Sequence, residues 1–219
     1  LEATKPKTNV VDRIRVLFNI LCQTMATIYF YQTRFRVCHY DLHADNVMYV
    51  DTTQLPAGHL VREAEVFQFD LGQGRVLNVP NTKNLLVKVA DWGLAAIYPG
   101  GEYNPLQPSN LQKRIGSDSG LNMLSGYDYW LASMSLLTAA LRPSSMKEAD
   151  EEPRFTQFVN DYVSALTNAR HTTYKSALRD GIRPPTDGTA TWCSVVNTET
   201  LFRFLMDRTA GLDLTDRRV

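Results

Sequence analysis

Five side chains that could move protons or bind cations fall in two short stretches of this chain. His39, Asp41, His43 and Asn46 lie close together, and Asp91 comes further along, two positions before a glycine. A carboxylate such as Asp41 can accept the proton of a hydroxyl group that is held against it. The amide oxygen of Asn46 and the carboxylate of Asp91 are hard oxygen ligands of the kind that Mg²⁺ prefers. These residue types predict a site that binds Mg²⁺ and takes a proton from a hydroxyl.

The spacing of these residues resembles two motifs of the protein-kinase superfamily. The stretch from His39 to Asn46, H-x-D-L-x-x-x-N, resembles the catalytic loop, and the stretch from Asp91 to Gly93 resembles the metal-binding motif that follows it. The resemblance implies phosphoryl transfer from ATP, with Mg²⁺, to a protein Ser or Thr hydroxyl. The roles that it implies are Asp41 as base, His43 assisting the phosphate, Asn46 and Asp91 as Mg²⁺ ligands, and Asn46, Asp91 and Gly93 at the nucleotide.

The same resemblance implies a fold and two supporting residues. The fold is the C-terminal lobe of a kinase over residues 1–219, mainly α with small β-hairpins. The D-x-W sequence that begins at Asp128 resembles the start of the helix that kinases bury beneath the catalytic loop. There the aspartate accepts hydrogen bonds from the loop backbone, so Asp128 and His39 are given supporting roles. The stretch from Asp91 to Asn104 is similar to casein kinase two, which favours Ser/Thr specificity.

Two departures from the kinase pattern keep other functions open. Tyr40 replaces the usual arginine, which normally binds a phosphate on the activation segment, so we expect activity that does not depend on loop phosphorylation. His43 replaces the lysine that neutralises the transferring phosphate in Ser/Thr kinases. Asp-Leu-His also resembles small-molecule phosphotransferases of the aminoglycoside and choline kinase type. A pseudokinase or scaffold that binds a partner is the third interpretation.

The smaller kinase lobe has no counterpart in the early part of the sequence. Residues 1–36 contain neither a glycine-rich loop nor a lysine-bearing V-A-I-K strand. A complete kinase closes a cleft between two lobes over ATP. The resemblance therefore implies that the N-terminal lobe comes from a longer parent chain or from a partner chain. The expected partners are that lobe and a protein substrate.

Composition argues against several other classes of protein. The chain of 219 residues has 23 Lys and Arg against 23 Asp and Glu, so nothing indicates binding to nucleic acid or to an acidic membrane surface. Its 3 cysteines are widely spaced and odd in number, which is typical of a reduced, intracellular protein. No run of about 18 apolar residues is unbroken, which predicts no transmembrane helix.

Hydrophobic periodicity predicts the elements that must position the site. Apolar residues at three- and four-residue steps predict a long helix over residues 9–34, capped at Asn9, which would support the catalytic loop. Strands over residues 46–51 and 85–90 are expected to pair, and the 52–84 insertion between them contains a hairpin of its own. Further helices are predicted over 126–141, over 155–166 and from a cap at Thr198 to Gly211.

Overall fold

The computed structural model describes residues 10–97, 125–141, 153–181 and 196–211. Within these ranges the chain is mainly helical, and its short strands pair into two-stranded antiparallel sheets. The prediction of a mainly α chain with small β-hairpins is therefore confirmed. The predicted cap Asn9, and the part of the casein-kinase-two-like stretch that follows Ile97, lie outside the described residues.

The helices and strands follow one another with short 3₁₀ turns between them. Helix α1 runs directly into a π-helical turn at Tyr31–Phe35, and 3₁₀ turns cover Ala44–Asn46 and Trp92–Leu94. In chain order the elements are α1 (Val10–Phe30), β1 (Val37–Cys38), β2 (Val47–Asp51), β3 (Val66–Gly72), β4 (Arg75–Pro80), β5 (Leu85–Val89), β6 (Ala96–Ile97), α2 (Ser125–Ala140), α3 (Pro153–Leu166), α4 (Tyr174–Gly181) and α5 (Thr198–Gly211).

Helix α1 lies at the centre of the core, as its apolar periodicity predicts. It packs against α2, α3, β3, β4 and β5, and Leu21, Cys22 and Met25 on its buried face have no exposed surface. Burying an aliphatic side chain of this size stabilises a fold by about 1.5–3 kcal/mol. Burial also raises the pKa of the Cys22 thiol. The predicted long helix is confirmed from residue 10 onwards, although its last turn is π-helical.

Helix α1 and the π turn together are also long and apolar enough to cross a membrane. The 26 residues Val10–Phe35 have a most apolar window with a mean hydropathy of 1.2, and 56% of that window is buried inside the fold. A core helix with this much burial passes the same test of length and composition. The absence of a membrane span therefore stays a prediction.

Strands β2 and β5 pair antiparallel, with Val47 opposite Val89 and Asp51 opposite Leu85. A buried side chain of α1 covers the far side of β5. Gln23 donates from Nε2 to the Leu85 carbonyl at 2.8 Å and accepts at Oε1 from the Val87 amide at 2.9 Å. Because an unpaired buried amide is unfavourable, these two bonds fix the position of β5 along α1. The predicted pairing of these strands is confirmed.

The predicted hairpin within the insertion is also confirmed, and it belongs to the core. Leu71, Leu77 and Val79 are buried, and the hairpin β3–β4 packs against α1 and α5. Gln73 and Gly74 form its two-residue turn with φ of 54° and 74°, the backbone of a type I′ turn. The insertion therefore contributes apolar burial to the fold.

The predicted cap of α5 is wrong by one residue. Asn197 accepts the Thr200 amide at Oδ1 over 2.8 Å, while Thr198 is the first helical residue. Asparagine is among the strongest N-caps, and threonine is somewhat weaker. With Asn197 in position, the helix begins one residue earlier than the threonine suggests.

Candidate functional site

The loop between β1 and β2 carries most of the predicted site, and one buried carboxylate fixes its beginning. Asp128, in the first turn of α2, accepts the backbone amides of His39 and Tyr40, each at 2.8 Å. Gln32 of the π turn donates a third hydrogen bond to Asp128 at 3.1 Å. Tyr40 is held at φ 62°, a left-handed conformation that is unusual for a large side chain. Such outliers persist where surrounding bonds enforce them, and they cluster at functional sites.

Burial and hydrogen bonding act in opposite directions on the Asp128 carboxyl. Asp128 is 1% exposed, and desolvation raises its pKa. The donors at His39, Tyr40 and Gln32 oppose this rise because they stabilise the ionised form. The supporting role predicted for Asp128 agrees with this geometry. His39, which was also predicted to support the site, is itself held by Asp128 through its backbone amide.

The three residues predicted to be catalytic, Asp41, His43 and Asn46, contact one another within this loop. Asn46 donates from Nδ2 to the Asp41 carbonyl at 2.8 Å and lies 3.3 Å from Nε2 of His43. That same Nε2 lies 3.8 Å from Oδ2 of Asp41. Because the Asn46 amide nitrogen can only donate, this contact makes Nε2 the acceptor in the neutral imidazole, the tautomer with its proton on Nδ1. The Asp41 side chain is 25% exposed, so an incoming hydroxyl can reach it.

Two hydrogen bonds to the backbone of Ala90 hold the second predicted stretch beside the first. The Ala90 amide donates to the Asn46 carbonyl at 2.9 Å, and Nε2 of His39 donates to the Ala90 carbonyl at 2.8 Å. These bonds place Asp91, the next residue, beside Asn46 at the end of the β2–β5 ladder. Asp41 and Asp91 thus both lie near Asn46. The Asn46 side chain bonds to the Asp41 carbonyl, and the Asn46 carbonyl bonds to Ala90, the residue before Asp91.

Asp91 begins a tight turn whose geometry depends on Gly93. Asp91 has φ 56°, is exposed, and accepts the Gly93 amide at Oδ1 over 3.3 Å. A Cβ on Gly93 would meet that same oxygen at 3.2 Å, so glycine leaves room for the carboxylate. The intervening Trp92 packs its ring on His39 and Tyr31, with centroids 4.7 Å and 4.5 Å apart. The aromatic contact anchors the turn and leaves the Asp91 carboxylate at the surface.

The residues predicted to bind metal fit an ion that arrives with a nucleotide. No group of three or more His, Cys, Asp or Glu that could hold a metal ion occurs among the described residues. Mg²⁺ in phosphoryl-transfer sites is commonly held by one or two protein oxygens, with phosphate oxygens and water as further ligands. Asn46 uses its amide nitrogen in its hydrogen bonds, which leaves Oδ1 for a cation, and Asp91 offers a carboxylate oxygen.

Two residues that take part in holding the site were missed by reading the sequence. The position of the Gln32 side chain depends on the π turn, and such a turn has no reliable signal in the sequence. Ser135 of α2 accepts the Ala44 amide at Oγ over 2.7 Å. It lies seven positions after Asp128, which places both side chains on one face of the helix, two turns apart. That spacing could have identified it.

No protein-family model matches the chain, and the comparisons with curated proteins and with solved structures found no match. The resemblance to kinases therefore rests on the sequence motifs described above.

Proposed function

We propose that the chain is the C-terminal lobe of a kinase-like phosphotransferase. It would act with Mg²⁺ and ATP and transfer the γ-phosphoryl group to a Ser or Thr hydroxyl of a protein. The observation that supports this most is the meeting of two remote stretches at Asn46. Its side chain bonds to Asp41, its carbonyl bonds to the residue before Asp91, and Asp128 holds the loop between β1 and β2 through two backbone amides.

In this proposal each residue has one task. The substrate hydroxyl is placed against Asp41, which accepts its proton as the new O–P bond forms and the bond between the γ-phosphorus and the ADP oxygen breaks. Asn46 and Asp91 would hold Mg²⁺, which offsets the negative charge on the phosphate oxygens when it is bound. His43 assists the phosphate in place of the usual lysine. A neutral imidazole contributes a hydrogen bond there and little charge near pH 7.

A small-molecule phosphotransferase is the second candidate, and His43 favours it. The ring lies against Asp41 and Asn46, where a protein kinase places a long cationic side chain. An acceptor that is itself cationic, such as an amino-alcohol or an aminoglycoside, would meet no repelling lysine at this position. This candidate predicts the same base and the same metal ligands and differs in the acceptor.

The test is phosphate transfer by the full-length protein from γ-labelled ATP with Mg²⁺. The acceptors are a casein-like protein, choline and an aminoglycoside, in parallel. Transfer to the protein alone supports the first candidate, and transfer to a small acceptor supports the second. In either case Asp41→Asn should lower the rate by at least about 10²-fold, because proton acceptance is lost.

Asp51→Asn is the matched control, since it removes the same charge at an exposed carboxylate at the far end of β2. Its transfer rate should equal that of the unaltered protein. An absence of transfer to every acceptor, with nucleotide still bound, would contradict both candidates and favour the pseudokinase.

A further inference from the structure

Helix α2 holds the loop at two points. Asp128 accepts the amides of His39 and Tyr40, and Ser135 accepts the amide of Ala44. The seven residues from Asp128 to Ser135 correspond to about 10.5 Å along a helix. Asp41, Leu42 and His43 lie in the chain between these two attachment points. Both ends of the reactive segment are therefore fixed to the same rigid element.

The bond to Ser135 satisfies an amide that the turn cannot satisfy by itself. Ala44 opens the 3₁₀ turn Ala44–Asn46, and the first amides of such a turn need acceptors from outside it. A capping side chain at the residue before a helical turn accepts the second or third amide of the turn and does not reach the first. The residue before this turn, His43, makes no side-chain capping bond. Ser135 accepts the Ala44 amide at 2.7 Å from another helix.

The consequence concerns the direction of the His43 ring. The Ala44 amide belongs to the planar peptide group that follows His43, so its bond to Ser135 fixes the backbone from which the ring extends. The ring extends to Asn46 and Asp41, with Nε2 at 3.3 Å and 3.8 Å from their side chains. We propose that Ser135 is a positioning residue, which holds the Ala44 amide from α2 and so keeps Nε2 of His43 directed at Asp41 and Asn46. Its kinetic consequence rests on the proposed function, and its structural consequence does not.

The first test needs no activity and uses Ser135→Ala in the 219-residue chain. Hydrogen exchange of the Ala44 amide should accelerate about fivefold or more, the factor expected for the loss of one hydrogen bond. The ¹⁵N spectrum of His43 should show the proton on Nδ1 in the unaltered protein and a mixture of tautomers in Ser135→Ala. Ser135→Thr keeps a hydroxyl at the same position and should restore both signals.

The matched control is Ser133→Ala on the same helix. Ser133 is buried and shares a 2.7 Å hydrogen bond with Tyr162, away from the loop. This substitution should lower stability and leave Ala44 exchange and the His43 tautomer unchanged. The proposal is wrong if Ser135→Ala leaves Ala44 exchange unchanged, or if Ser133→Ala alters the His43 tautomer as much as Ser135→Ala does.

The second test connects Ser135 to the reaction. In the full-length protein Ser135→Ala should lower kcat by about tenfold or more with little change in KM, because a displaced reactive group affects turnover more than substrate binding. In a His43→Ala background the same substitution should have no further effect. An equal loss in both backgrounds would show that Ser135 does not act through His43. If the unaltered protein transfers no phosphate, the proposed function fails while the exchange and tautomer results still decide the role of Ser135.

Discussion

The loop of the candidate site and the inserted hairpin are fixed to the core in opposite ways. The loop from His39 to Asn46 is held mainly through its backbone, because side chains of α2 accept three of its amides. The hairpin β3–β4 is held mainly through its side chains, of which Leu71, Leu77 and Val79 are buried. Polar bonds add to this: the Tyr29 hydroxyl donates to the Leu71 carbonyl at 2.6 Å, and Arg75 pairs with Glu199 of α5 at 2.7 Å. The Asn19 amide of α1 also donates to the Pro80 carbonyl at 2.5 Å.

The difference follows from what each segment has to leave free. Hydrogen bonds to the backbone fix a loop without using its side chains, so Asp41 and His43 stay available, as the proposed function requires. A hairpin that adds burial has no such requirement and is stabilised by the apolar area it removes from water. The loop should therefore respond to loss of polar partners, and the hairpin to loss of volume.

Asp128→Asn should have the largest effect, and it acts on the loop. Asparagine offers one acceptor oxygen where the carboxylate offers two, so the amide of His39 or Tyr40 loses its partner. We expect the transfer rate to fall about 10²-fold, as a small displacement of a reactive group can produce. Near pH 4 the free energy of unfolding should fall by about 1–3 kcal/mol. The measurements are transfer kinetics and denaturant unfolding, with the exposed Asp207→Asn as control.

The same variant reports on the ionisation of Asp128. Its pKa is raised from 3.8 in the folded protein, so at intermediate pH the folded state binds more protons than the unfolded state. This contribution to stability is complete below pH 3.8 and is lost as the pH rises through the folded value. The stability advantage of the unaltered protein over Asp128→Asn should therefore shrink as the pH increases from about 4. An advantage that grows with pH would show that the hydrogen bonds outweigh desolvation.

Leu77→Ala tests the other side of the comparison. Leu77 has no exposed surface, and its truncation should lower the free energy of unfolding by about 2–5 kcal/mol through lost burial and the cavity that remains. The transfer rate should stay unchanged at temperatures where the variant is folded. Val76→Ala, on the neighbouring position with 43% of the side chain exposed, should change stability by less than about 0.5 kcal/mol. A rate loss that matches the stability loss would mean that the hairpin and the loop are coupled.

Gln73→Asn should have the smallest effect and the opposite sign. Gln73 is exposed and has φ 54° in the type I′ turn, where Asn followed by Gly is strongly preferred. We expect a gain of about 0.5 kcal/mol in unfolding free energy, with no change in transfer. Gln68→Asn, on an exposed strand position of the same hairpin, should give no gain because asparagine is unfavourable in strands. Equal shifts in the two variants would contradict the turn argument.

The elements of the fold were largely predictable because each one carries a strong local pattern. The apolar steps of α1 and the alternation about Gly72 and Gly74 indicate a helix and a hairpin without any tertiary information. The role of the hairpin in the core was not predictable in this way, because Leu77 and Val79 show an apolar face without showing what covers it. The sequence did not distinguish Asn197 from Thr198 as the cap of α5, because these two adjacent residues are both good caps.

The proximity of the candidate site residues was predictable where they are close in sequence and less so where they are not. Asp41, His43 and Asn46 are neighbours, and the ladder between β2 and β5 brings Asp91 to them. Gln32 and Ser135 contact the loop from remote elements: Gln32 belongs to no motif, and Ser135 is marked only by its seven-residue spacing from Asp128. Asp128 could be predicted because a resemblance pointed to it.

The pairing of Gln23 with β5 has a consequence for how the molecule meets its neighbours in solution. The side of β5 turned away from β2 would otherwise present free amide and carbonyl groups, which act as a template for a strand from another molecule. Gln23 occupies the Leu85 carbonyl and the Val87 amide, and the Trp92 indole occupies the Val89 carbonyl at 3.2 Å. The β5 edge of this two-stranded ribbon is thereby covered by side chains, which hinders edge-to-edge association on that side.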